Sequence, residues 1–256
     1  MKPLMTIFRS NLKLLFSRIR QLFVSLILLA FINPSFAAAP VTHVVLAEHW
    51  IQHQEQYSDE QKRSFMLGTL FPDIRYLGVI SRSKTHERGL TLQHLLEKQS
   101  EFNKGKRLHA FVDKQRENLV VKWKIYDRIR KVPGQKYKTT FLKLLEDEIL
   151  FSTRDWSDIR QYLKTIHPEE QTYQIRDEDI SRWHAQLSRA FLAPPSIYLM
   201  TLAFLNRGYG NVPPEIIKEW SQLLPELAKD KEIQNYVHAL LTELDKQFSG
   251  TLPPPH

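Results

Sequence analysis

Cysteine is absent from the 256 residues, which excludes thiolate catalysis, disulfide stapling and every zinc site of the cysteine type. Any metal centre in this chain must therefore be built from His, Asp and Glu. Period-two alternation is also missing, so no convincing set of strands can be assembled, and no repeat period is found. Neither a G-x-S-x-G elbow, a P-loop glycine pattern nor a two-carboxylate glycosidase signature is present. No basic run or aromatic-interleaved stripe stands out, so stable nucleic-acid binding is not expected. The apolar run at residues 22–32 is roughly half as long as a membrane span requires.

What is present begins with that run. Residues 1–21 carry Lys2, Arg9, Lys13, Arg18 and Arg20 and no acid. The apolar stretch follows, then a helix-breaking Asn33-Pro34 and small residues through Ala39. This is the order of parts in a secretory signal. Cleavage is expected after Ala37, with Ala39 as second choice, giving an exported, periplasmic or secreted protein of 219 residues. Removing the five leader cations changes 36 basic against 28 acidic residues to 31 against 28, a net charge of about +3 instead of +8. A chain of that length can bury a sufficient core without disulfides.

Helical periodicity accounts for the rest. Residues 41–56 repeat apolar side chains at helical spacing, with Thr42 as a plausible N-cap. Ser58-Asp59-Glu60 opens a second helix that Pro72 should end, residues 78–89 read as loop, and residues 91–99 as a further helix. A long pattern runs from 101 to about 131, with a break expected near Gly105. Pro133-Gly134 marks the clearest internal boundary. Helices are then expected over 137–151, 156–166, 179–192, 196–205, 214–227 and 233–248. The apolar segment 197–205 reads as a buried central helix and residues 251–256 as a frayed tail. The expectation is an all-α, multi-helix bundle: leader 1–37, a region 38–132 whose N-terminal helices carry a His/Asp metal site, and a region 133–256 packed on it in one domain.

The chemistry-bearing residues lie in the first region. His43 shares a face with Leu46, Ala47 and Trp50, so it points into the packed side of its helix. His109 and Asp113 stand one turn apart on one face, where they can grip one ion together. His49 and His53 have the same spacing but sit toward the polar edge of their helix and read as surface residues.

Order is more specific than any single residue. Thr42-His43 is followed by Phe65, Gly68 and Pro72-Asp73, then Thr85-His86, then Phe102, Gly105, His109 and Asp113. Over residues 41–117 this set resembles the zinc-dependent phospholipase C family, which shares an α-helical fold with fungal single-strand nucleases. The resemblance implies a metal cluster in a helical bundle and hydrolysis of a phosphoester. It implies His43, Asp73, His86, His109 and Asp113 as metal ligands, with Asp73 also a candidate general base. A buried carboxylate at Asp73 then has its cation, and one or two zinc ions are implied.

The pattern also departs from that family. Asn118, Leu119 and Val120 stand where a further His is sought, no His-x-x-x-Glu follows Asp113, and the expected mature N-terminus lacks the metal-binding Trp. The third metal position is therefore in doubt. Glu117 and the acids of Leu144–Leu150 offer substitutes, with Glu148 preferred, although a solvated acidic face is the simpler reading of that helix. The sequence thus points to an exported phospholipase C-like phosphoester hydrolase acting on a phospholipid head group or another phosphodiester, with peripheral membrane contact. The alternative is a non-catalytic helical binding module that keeps a structural metal.

Overall fold

The computed structural model describes residues 40–54 and 57–251; the expected leader, its cleavage position and residues 252–256 lie outside them. Thirteen α-helices follow in chain order: α1 (Pro40–Gln52), α2 (Asp59–Leu70), α3 (Arg82–Thr85), α4 (Gln93–Leu96), α5 (Glu101–Lys122), α6 (Ile125–Arg128), α7 (Lys138–Phe151), α8 (Ser157–Tyr162), α9 (Pro168–Gln171), α10 (Asp177–Ala190), α11 (Pro195–Phe204), α12 (Pro214–Leu227) and α13 (Lys231–Thr251). Among the described residues the chain is all-α. Its extended pairing there is a single bridge between Tyr209 and Val212, and no helix is long and apolar enough to cross a membrane.

Local chemistry sets the helix ends. Ser58 starts α2 through a reciprocal box, its hydroxyl accepting from the Gln61 amide while the Gln61 side chain accepts from the Ser58 amide. Pro72 stops the α-helix at Leu70 and opens a 3₁₀ turn over Phe71–Leu77, which carries Asp73. Thr42 is not the N-cap of α1, which begins at Pro40. The cap comes from far along the chain: Asp147 on α7 accepts from the Val41 amide at 3.2 Å and from the Thr42 amide and hydroxyl at 2.9 and 2.8 Å. Burial pushes the Asp147 carboxyl up to about 7, and the bonds from Thr42 and Val41 oppose that rise.

Gly105 does not break its helix. It lies inside the continuous α5, opposite Gly68 of α2, where the two backbones touch. A Cβ on Gly68 would overlap the Phe102 carbonyl, and one on Gly105 would overlap the Phe65 carbonyl. Glycine is needed at both positions because backbone, not a yielding side chain, fills the space. This crossing brings the Asp73 turn against the middle of α5.

A single apolar cluster runs from Val41 to Phe248, so residues on both sides of Pro133 share one core. Trp50 of α1 packs edge-on to Phe248 of α13 at 5.5 Å, and Phe141 of α7 meets Trp220 of α12 at 5.2 Å. Inside the core Glu146 accepts from Arg116 Nε at 2.6 Å and from the Tyr236 hydroxyl at 2.7 Å, tying α5, α7 and α13 together. The acids of α7 therefore do not form a solvated face: Glu146 and Asp147 are buried, and each satisfies donors on another helix. The apolar segment 197–205 is likewise not a buried centre. α11 buries Leu199 and Leu202 but exposes Ile197, Met200 and Phe204, the last at 88%.

Substituting Gly105→Ala should lower stability by about 1–3 kcal/mol, the usual cost of forcing atoms into a packed contact, read as a drop in Tm. Asp147→Ala should cost about 2 kcal/mol or more by stranding the N-terminal donors of α1. An unchanged Tm in either variant would contradict the contact assigned to it.

Candidate metal centre

His109 is the best-defined member of the centre, because its tautomer follows from a carbonyl. Its Nδ1 lies 2.9 Å from the Thr69 carbonyl oxygen, which can only accept, so Nδ1 carries the proton. Thr69 follows Gly68, so the helix crossing itself supplies this partner. Nε2 is left with a lone pair, fully buried and without a hydrogen-bond partner. It faces Asp73 Oδ2 at 3.8 Å and Asp113 Oδ2 at 3.7 Å. Lone pairs confronting each other across that distance repel unless something positive stands between them.

His86 is held by its neighbour. Its Nδ1 lies 2.9 Å from the Thr85 hydroxyl, which is also 3.3 Å from the Arg82 carbonyl. His86 Nε2 is buried and unpartnered, 3.7 Å from Asp113 Oδ2. His43, held in place by the Asp147 cap on its neighbour Thr42, stacks on His109 with centroids 3.9 Å apart and directs Nε2 to Asp113 Oδ1 at 3.5 Å.

These separations fit a bound cation. Nitrogen–oxygen gaps of 3.5–3.8 Å are too long for hydrogen bonds, whereas two ligand atoms each about 2.1 Å from one ion lie about 3.3 Å or more apart. The side chains form two overlapping groups, His43 with His109 and Asp113, and Asp73 with His86 and His109, their ligand atoms within 4.8 Å of one another. His109 has a single open nitrogen and can serve one ion at a time, so the two groups compete for it. Asp113, with two oxygens, can bridge toward His43.

Charge around the centre is arranged for the same end. Burial works against the ionised form of Asp113, but Lys143 at 3.3 Å and the surrounding imidazoles outweigh it and hold the carboxyl well below the usual range. Burial, then the Asp113 charge, raises Asp73, against the pull of Lys143 and of Arg75 at 3.2 Å. Burial depresses His109 well below the ordinary imidazole value, with His43 and His86 adding to the effect, and burial also lowers His86. Neutral imidazoles beside an ionised carboxylate are the protonation states that metal ligation needs.

The centre opens on a cleft of about 820 Å³ whose lining includes His86 and Asp113. The structure thus brings His43, Asp73, His86, His109 and Asp113 together. Glu148 it does not: this side chain accepts from the Ser196 amide at 2.8 Å and hydroxyl at 2.7 Å, capping α11. Glu117 is half-exposed and accepts from the Tyr126 hydroxyl. His49 and His53 converge on Asp245 of α13, at 3.0 and 2.9 Å, away from the centre.

No family model, curated protein or solved structure matches this chain.

Three residues of the site escaped the reading of the sequence: Arg75, Arg82 and Lys143. Arg75 could have been suspected from its place two residues after Asp73. Lys143 comes from a helix thirty positions beyond Asp113, and no local pattern marks it.

Zinc added to chelator-treated protein should raise Tm by about 5 °C or more at a hundredfold excess over Kd. His109→Ala and Asp113→Asn should each remove the shift and the bound zinc measured by elemental analysis. A wild-type protein that binds no zinc would contradict the centre.

Proposed function

We propose that this protein is an exported, metal-dependent phosphoester hydrolase of the phospholipase C kind, acting on a phospholipid head-group ester or another phosphodiester. The observation that carries the reading is the pair of buried, unpartnered Nε2 atoms on His86 and His109, set against the carboxylates of Asp73 and Asp113, the second of which lies on the wall of an open cleft. The order of His43, Asp73, His86, His109 and Asp113 along the chain supports it independently. Zinc is the favoured ion for an imidazole and carboxylate donor set. Bound there, it would lower the pKa of water and polarise a phosphoryl oxygen.

The remaining work falls to the chain's own groups. Asp73, raised by burial, is the general base that takes the proton of the attacking water. Arg75 orients Asp73 through its contact with Oδ1, leaving Oδ2 toward the centre. Lys143 and Arg82 flank Asp113 at 3.3 and 3.9 Å and offer positive charge to phosphoryl oxygens entering the cleft. Peripheral contact with a lipid surface belongs to the same proposal, and the exposed Ile197, Met200 and Phe204 stripe on α11 supports it.

One observation favours the second reading, a helical module with a structural metal. Glu146, Asp147 and Glu148 are all engaged elsewhere, so α7 supplies no further ligand, and among the described residues no third ligand group adjoins the centre. Phosphodiester hydrolysis before and after chelation separates the two. The hydrolase reading expects turnover that chelation abolishes and zinc restores, and a loss of at least about a hundredfold in kcat for Asp73→Asn. Stoichiometric zinc without turnover on a broad phosphoester panel would establish the module instead.

A further inference from the structure

The cleft beside the metal centre is lined by more cations than acids, and three of those cations, Arg75, Arg116 and Lys143, are each held by a carboxylate, Asp73, Glu146 and Asp113. Its lining contains Arg75, Arg82, Arg88, Lys114, Arg116 and Lys143 against three acids, Glu87, Asp113 and Glu117. Two of those acids are already occupied. Glu87 is paired with Arg107 at 3.1 Å and Lys106 at 3.7 Å, and Glu117 takes the Tyr126 hydroxyl and lies 3.5 Å from Arg116 Nη1. A zinc ion at the centre would add to the surplus.

Arg116 is the decisive residue. The residue is almost wholly buried, 2% exposed, which is costly for a charge unless it is held. Glu146 holds it from behind through Nε, and Tyr236 fixes Glu146 in turn. Nη2 nevertheless has no partner, in a side chain that lines the cleft. Arg75, also on the lining, likewise leaves its Nε unpartnered. Thr139 and Thr140 add hydroxyls on the α7 side of the same cavity, one turn before Lys143. Fixed guanidinium donors, an ammonium and hydroxyls around one cavity are the chemistry of a phosphate site.

We propose that this cleft binds a terminal, dianionic phosphate through Arg116, Lys143 and Arg82, so that the chain's own cations hold the anion where further metal ions would otherwise do so. The inference deepens the hydrolase reading, on which it rests for its biological sense: cleavage of a phosphodiester releases a phosphomonoester of this charge. Binding itself requires no turnover and no metal. A monoanionic diester such as dimethyl phosphate is held more weakly than glycerol phosphate because it presents one fewer charge.

The test is calorimetric titration of chelator-treated protein with inorganic phosphate and glycerol phosphate, and co-flotation with phosphatidic acid or phosphatidylcholine vesicles. Both soluble ligands should bind in the millimolar range or tighter, with affinity falling as salt rises. Arg82→Ala, at a largely exposed side chain, and Arg116→Lys, which retains the charge beside Glu146 but loses the unpartnered Nη2, should each weaken binding about tenfold or more. An unchanged Tm in Arg82→Ala keeps its result independent of folding. Flotation with phosphatidic acid but not phosphatidylcholine would identify a lipid head group as the source of the phosphate; soluble binding without flotation would identify a free one. Phosphate that binds only after zinc is restored would overturn the proposal while leaving the hydrolase reading standing. Phosphate binding by a protein that takes up no zinc would sustain the anion site and sink the hydrolase.

Discussion

The contact on which the site depends is a backbone one, the crossing of α2 and α5 at Gly68 and Gly105. Two carbonyls occupy the space a side chain would need, so the helices approach as closely as backbones can. The consequences are chemical as well as geometrical. His109 stands one turn beyond Gly105 and meets the carbonyl of Thr69, the residue after Gly68. That bond fixes which nitrogen of His109 holds the proton, and therefore which one is free. Pro72, two residues after the end of α2, turns the chain so that Asp73 faces the free nitrogen.

Around that nitrogen, charges are confined in a small space. A buried carboxylate, a partly buried one and the bare nitrogen of His109 are all electron-rich, and burial makes each more expensive to leave unpaired. Lys143 and Arg75 answer part of that cost by lying beside Asp113 and Asp73. They cannot answer the lone pair of His109, which no donor reaches. A divalent cation answers both at once, and the same positive surroundings make the adjoining cleft receptive to an anion. Metal affinity and anion affinity are thus linked: cations near Asp113 weaken the hold on a metal while strengthening the hold on a phosphate.

Helical spacing, a local feature, marked the inward face of His43 and the pairing of His109 with Asp113, whereas Asp73 and His86 were singled out only by the order of motifs in the family that the chain resembles. The all-α class was legible from the same helical spacing. Gly105 was misread as a break since one strand of sequence shows a glycine but not the helix opposite that requires it. The apolar α11 segment was misread because composition reports hydrophobicity and not whether a neighbour is there to cover it. Asp147 and Glu148 both cap helices distant in sequence, α1 and α11, and Glu146 neutralises a distant arginine. Acidic residues serving other helices look, in a local window, like an acidic surface. The cationic wall of the cleft drew on the Asp73 turn, α3, α5 and α7, and its assembly is a property of the tertiary fold.

A cation shared by Nε2 of His86 and His109 and the carboxylates of Asp73 and Asp113 would hold this site together. Anomalous scattering at the zinc edge, recorded from crystals of the protein grown with zinc, can locate it. A peak is expected about 2 Å from both Nε2 atoms and from a carboxylate oxygen. An empty centre, with the two imidazoles turned to hydrogen-bond the carboxylates through Nε2, would contradict it.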